Sequence, residues 1–171
     1  MGKKTGPNPT DRAKTGTKRS LLTDERGVPL GIAIAGANVN DFKLVEETLA
    51  SIPVERPQSA TPEASEPTAE NEQSLCLDHG YFYDEVYELV ANWGYTAHIR
   101  PVGSGKTETL TAQQKREAGV KARRWVVERT HSWLNRFRGL LIRWCKKGEN
   151  YLAMLHLACG LIAFRTSALP G

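Results

Sequence analysis

Two β-prone runs, Lys18 to Thr23 and Val28 to Ala35, are separated only by Asp24-Glu25-Arg26-Gly27. That spacing predicts an antiparallel hairpin with Gly27 at the position requiring positive φ. Beyond it, Asn40-Asp41 can cap a helix from near Phe42 to near Ile52, with Phe42, Val45 and Leu49 at helical spacing. Leu75-Cys76-Leu77 reads as a short buried strand, Asp84 to Trp93 as a helix stopped by Gly94, and Thr96 to Pro101 as a further strand. A Gly-containing loop over Val102 to Thr111 leads into helix from Ala112 to about Trp144. Strands alternating with helices make this an α/β chain. Its 171 residues suffice for one domain with a real core.

Charge is distributed in blocks. Met1 to Ser20 carries six cations against Asp11, giving +5, and Gly6-Pro7-Asn8-Pro9-Thr10-Asp11 within it is turn chemistry. Residues 1–16 are therefore expected as a basic extended arm that contributes no core. Pro53 to Gln73 has five glutamates against Arg56, giving −4, in a Pro-, Ser- and Thr-rich composition that cannot bury much surface. It reads as an acidic, exposed and mobile insertion within a domain spanning 17–168. Lys115 to Lys147 holds eleven cations against Glu117 and Glu128, giving +9. Seven of the eleven are arginines, suited to bidentate phosphate contacts, and Trp125, Trp133, Phe137 and Trp144 interleave with them. A solvated helix face explains such a block as well as a polyanion site does, but arginine and aromatic content favours nucleic acid.

Cys76, Cys145 and Cys159 show no CxxC spacing, and their odd number argues against a disulfide framework and fits a reducing cytoplasm. They read as small core residues. The most apolar stretch, Tyr151 to Phe164, contains His156 and falls short of the roughly 20 residues that span a bilayer, so it is expected as a buried helix rather than a membrane segment.

Two carboxylates stand out. On a helical wheel at about 100° per residue, Val126, Trp133, Phe137, Leu140 and Trp144 form one stripe, while Arg124, Glu128, His131 and Asn135 cluster opposite. Taken alone, Arg124 and Glu128 read as an ordinary i,i+4 pair worth a few tenths of a kcal/mol. A second acid changes that reading. Asp78 closes a predicted strand at its C-terminal tip, where function collects in open α/β sheets. Carboxylates that converge can hold Mg²⁺, and a pair of metals supports in-line displacement at phosphorus. Asp24 and Asp41 are better explained as turn and cap residues. No zinc site, nucleophilic triad, P-loop or dinucleotide fingerprint is present.

Thr5-Gly6-Pro7-Asn8-Pro9-Thr10-Asp11-Arg12, Gly16-Thr17-Lys18-Arg19, Asp24-Glu25-Arg26-Gly27-Val28-Pro29-Leu30, Leu77-Asp78-His79-Gly80-Tyr81 and the run from Arg123 to Phe137 resemble the catalytic domain of DDE insertion-sequence transposases of the IS-five family. The resemblance implies an RNase-H-like mixed sheet flanked by helices, an acidic triad holding two Mg²⁺ or Mn²⁺ ions, and strand cleavage followed by transfer at terminal inverted repeats. Asp78 matches the second acid, Glu128 the third, and Arg124 the arginine four residues before it. Asn135 stands where the family usually has lysine, and Lys121 where it has tyrosine. The family's first aspartate lies on a central strand upstream of Gly-Pro-Asn-Pro; only four residues precede Thr5, so that strand is expected to be lacking here.

Activity would then need an N-terminal transposase half or a homo-oligomer, in the bacterial cytoplasm at the nucleoid. Arg124, Arg129, His131, Asn135, Arg136, Arg138, Lys18 and Arg19 are the expected DNA contacts. The alternative is a catalytically inactive fragment that binds DNA. An RNA-binding structural protein explains the charge but not Asp78 with Glu128.

Overall fold

A computed structural model describes residues 4–12, 14–54, 73–99 and 125–168. They belong to two compact units, one built from Met1–Val54 with Trp125–Gly171 and the other from Glu55–Arg124. Helices and strands occur in both, as an α/β reading requires. Apart from Pro53, Val54 and Gln73, the expected acidic insertion lies outside the described residues, as do the expected loop at 102–111 and the helix over 112–124.

The first unit is organised by the hairpin. Strands β2 (Thr15–Thr23) and β3 (Pro29–Gly36) pair antiparallel from Thr17 opposite Gly36 to Leu22 opposite Gly31, with a register shift at Leu22/Thr23. Asp24 builds the turn: its Oδ1 accepts from the N–H groups of Arg26 at 2.9 Å and Val28 at 2.7 Å. Gly27 takes the positive φ, at 85°. The basic arm departs from expectation. Strand β1 (Gly6–Pro7) pairs with the start of β2, and Gly6 is buried so tightly that a Cβ would lie 1.7 Å from the Asn38 Oδ1.

After β3, a 3-10 turn over Asp41–Leu44 runs into helix α1 (Val45–Ala50). Asn40 has the extended backbone of a cap but no side-chain cap bond, and Asp41 instead pairs with the Lys18 ammonium at 3.1 Å. The helix is tied to the strand edge: Ser51 Oγ accepts from the Ile32 N–H at 2.8 Å and donates to the Thr48 carbonyl at 2.7 Å. Ile32 and Ile34 share one face of β3. They form the core with Tyr151, Leu155, Ala158 and Ile162 of the long C-terminal helix, whose four residues recur at helical spacing.

The helix expected from Ala112 to Trp144 is interrupted. Helix α3 (Trp125–Asn135) ends, Phe137 turns extended, and a short helix α4 (Arg138–Leu141) follows. Only a helix unbroken through Asn135 would place Trp144 on the core-facing stripe; with the break, Trp144 is 81% exposed. The buried stripe of α3 is Val126, Thr130 and Leu134, spaced by four. Helix α5 (Gly148–Ala168) also departs from a buried helix, since Leu157 and Phe164 face outward. No helix among the described residues is long and apolar enough to cross a membrane.

The second unit contains a parallel pair, β4 (Ser74–Leu77) and β5 (Thr96–Ile99), linked through α2 (Asp84–Asn92). Val86 and Val90 are the buried side chains of α2. Gly94, at φ 69°, ends the chain's helical path, and the Tyr95 N–H returns to the Val90 carbonyl at 3.0 Å. Leu75 is buried but Cys76 is exposed, so β4 is not a fully buried strand and Cys76 is not a core residue. Alternate side chains of a short strand covered on one face must point outward.

Candidate functional site

Asp78 follows the last residue of β4 and caps the short 3-10 turn His79–Tyr81, its Oδ1 accepting the His79 N–H at 2.8 Å. It stands at the C-terminal end of a parallel strand, before the crossover helix, where the chain turns away from the sheet and leaves side chains open to solvent. Asp78 is exposed, and the His79 ring stacks on Phe82 with centroids 6.1 Å apart.

Glu128 belongs to the other unit, in the first turn of α3 and on its exposed side. Among the described residues it has no hydrogen-bonding or ion-pairing partner. Arg124, its expected i−4 neighbour, lies outside the described residues, as does Lys121.

The cations expected to contact DNA divide, among the described residues, into two groups. The Arg129 guanidinium carbon lies over two indoles, 4.8 Å from the Trp125 ring centroid and 4.9 Å from that of Trp133, and one of its terminal nitrogens donates to the Arg26 carbonyl. Arg19, on β2, gives each guanidinium nitrogen an acceptor: Tyr151 Oη at 2.8 Å, Asn135 Oδ1 at 3.1 Å and the Leu140 carbonyl. Lys18 donates to the Val39 carbonyl at 2.9 Å besides pairing with Asp41. These three cations hold the fold together. Arg136 and Arg138, at the break between α3 and α4, are exposed and have no such partners among the described residues. His131 is partly buried, and its pKa is lowered by that burial and by the nearby Arg19 charge. Asn135 is exposed except for its bond to Arg19.

The chain matches the Transposase DDE domain family over residues 2–162. It belongs to that family. It is also 35% identical, over 95% of this chain and 70% of the relative, to a putative transposase for insertion sequence element IS402 of Burkholderia cepacia. No solved structure gives a significant match. The homology supports a role in DNA transposition and points to DNA as a partner.

In this transposase domain the helix that carries Glu128 is supported from a distance. Tyr151, 2% exposed, donates to the Leu140 carbonyl at 3.0 Å and accepts from Arg19, while Arg143 lies over its ring at 5.6 Å from the centroid. Arg143 continues to Thr17 Oγ1 at 2.7 Å and the Cys145 carbonyl at 3.0 Å. The sequence offers no signal for this bracket, because Arg19 and Tyr151 are 132 positions apart. By contrast the Trp125-Arg129-Trp133 set is visible as an i,i+4,i+8 spacing. Cys159, partly buried near Arg19, has its thiol pushed up to about 11 by burial, which makes it a poor nucleophile.

Proposed function

We propose that Asp78 and Glu128 are two of the acidic ligands of a divalent-metal site that cuts and joins DNA at the terminal inverted repeats of an insertion sequence of the IS-five type, within an RNase-H-like arrangement. The observation that carries this reading is Glu128. In a segment of charge +9 it keeps an exposed carboxylate without a cationic partner among the described residues, while Arg129 and Arg19 are engaged elsewhere. An acid with no cationic partner among the described residues, in a chain segment rich in arginine, fits a residue that holds a metal ion against DNA. Asp78, exposed at the tip of β4, suits the same task.

Two carboxylates fit Mg²⁺ or Mn²⁺, which prefer oxygen donors and retain waters for a phosphate. When bound, such ions activate the attacking hydroxyl and stabilise the leaving oxygen. No three His, Cys, Asp or Glu side chains gather at one point among the described residues. A further acid comes, on this reading, from an N-terminal transposase half or a partner copy. Asp78 and Glu128 supply anionic oxygen, the first turn of α3 fixes Glu128, and Arg136 and Arg138 attract the phosphate backbone in the bacterial nucleoid. The test is Mg²⁺-dependent nicking of inverted-repeat DNA with that half supplied. Cleavage is expected to vanish in Asp78→Ala and in Glu128→Ala; a Glu128→Ala protein that nicks like the parent would sink the assignment.

A further inference from the structure

Helix α5 has two apolar faces. One carries Tyr151, Leu155, Ala158 and Ile162 into the core. At about 100° per residue, Ala153, Leu157, Gly160 and Phe164 fall on the opposite side, and all are exposed. Leu157 and Phe164 keep 68% and 69% of their surface in water, a patch that burial against another surface would relieve. The steps of four, three and four between these positions are those of one helix packed along another. Large and small side chains alternate along the seam. Gly160 is the member that the fold of the single chain does not explain: a Cβ there would meet nothing within 4 Å, yet glycine inside a helix is less stable than alanine. It leaves a hole between two exposed knobs.

We infer that this outer face of α5 is an interface between two copies of the chain, packed antiparallel about a two-fold axis. The seam complements itself in that direction. Leu157 then lies opposite Gly160 of the second copy and Phe164 opposite its Ala153, and both pairs share one midpoint, between Ala158 and Cys159. A single axis therefore sets every large side chain against a small one, as an isologous contact requires. Parallel pairing would set leucine on leucine and glycine on glycine, leaving a gap at each glycine layer. The helix ends agree: antiparallel packing brings the first turn, with Glu149, to the level of the other helix's last turn, with Arg165. DNA is a poor occupant, because α5 has no Lys or Arg between Glu149 and Arg165 to hold phosphates. The inference goes beyond the DNA-cutting reading and does not rest on it.

Sedimentation equilibrium of the 171-residue chain without DNA is expected to show a reversible monomer–dimer equilibrium. Gly160→Leu fills the hole and should weaken the dimer about tenfold or more, while its side chain meets nothing in its own chain. Gly160→Ala guards against misfolding: it should weaken the dimer yet raise the urea stability of the dilute monomer, a combination that damage to the fold cannot produce. The register has its own test. Leu157→Glu and Gly160→Lys should each dimerise poorly alone, and an equal mixture should form a heterodimer, because residue 157 of one copy faces residue 160 of the other. A wild-type chain that stays monomeric to millimolar concentration overturns the inference. So does a dimer that Gly160→Leu leaves unchanged, or a mixture of the two charged variants that associates no better than either alone.

Discussion

The Arg19 Nε donates to the Tyr151 hydroxyl at 2.8 Å, and that hydroxyl donates in turn to the Leu140 carbonyl at 3.0 Å. One strand residue thus secures both the break after α3 and the first turns of α5, because Arg19 also reaches Asn135 and Leu140. Tyr151→Phe leaves Arg19 Nε without its acceptor in a partly buried setting. The expected loss is about 2 kcal/mol, the usual range for an orphaned donor on a charged group. Urea unfolding of the two proteins measures it, and a difference near zero would mean water replaces the hydroxyl.

The hairpin turn seats on α3 through a second long-range bond, from Thr130 Oγ1 to the Gly27 carbonyl at 2.7 Å. Gly27→Ala meets two obstacles at once, a φ of 85° and a Cβ placed 2.9 Å from Thr130 Oγ1. Left-handed backbone alone costs about 1–2 kcal/mol for a non-glycine residue. The variant should lose at least that much stability. Gly80→Ala, where a Cβ meets nothing within 4 Å, should stay within about 0.5 kcal/mol of the parent by the same thermal or urea measurement.

Acid should weaken the first unit through His131. Burial, and then the Arg19 charge, lower its folded-state pKa, so the fold prefers the neutral ring. The unfolded chain takes up the proton at about pH 6.5. Stability from this group is full above that pH, declines as pH falls below it, and levels off once the folded pKa is passed. Unfolding free energies between pH 7.5 and 5, compared with His131→Gln, should show a shallower decline in the variant; parallel curves would remove His131 as the source.

Arg136→Gln and Arg138→Gln address the exposed cations. Each phosphate contact removed should lower the slope of log affinity against log salt by about 0.9, with duplex sequence making little difference. Arg129→Gln should instead lower stability, since its guanidinium lies over both Trp125 and Trp133. Salt titrations of DNA binding beside denaturation curves distinguish the two behaviours.

The sequence was most informative where a feature depends on residues close together in the chain. Asp24 and Gly27 specify the hairpin turn, Gly94 marks the end of α2, and the apolar spacing of Tyr151 to Ile162 marks α5. Asp78 at a strand tip and Glu128 on the outer face of a helix were likewise legible, because a strand's end and a helix's polar side follow from local periodicity. The helix break after Asn135 is not legible for the same reason. Periodicity runs on through Trp144, while the interruption coincides with Arg19 engaging Asn135 and Leu140 from more than a hundred residues away.

The amino-acid sequence by itself determined the hairpin, the alternation of strands and helices, the basic block around Glu128 and the resemblance to DDE transposases. All are local patterns or strings. Only the tertiary structure decided which arginines serve the fold and which face solvent, since a guanidinium's role depends on acceptors and rings supplied by distant segments. It also assigned Tyr151 to the core bracket and left Trp125 as an exposed ring backed by a cation, although both appear in the sequence simply as aromatic residues on helices.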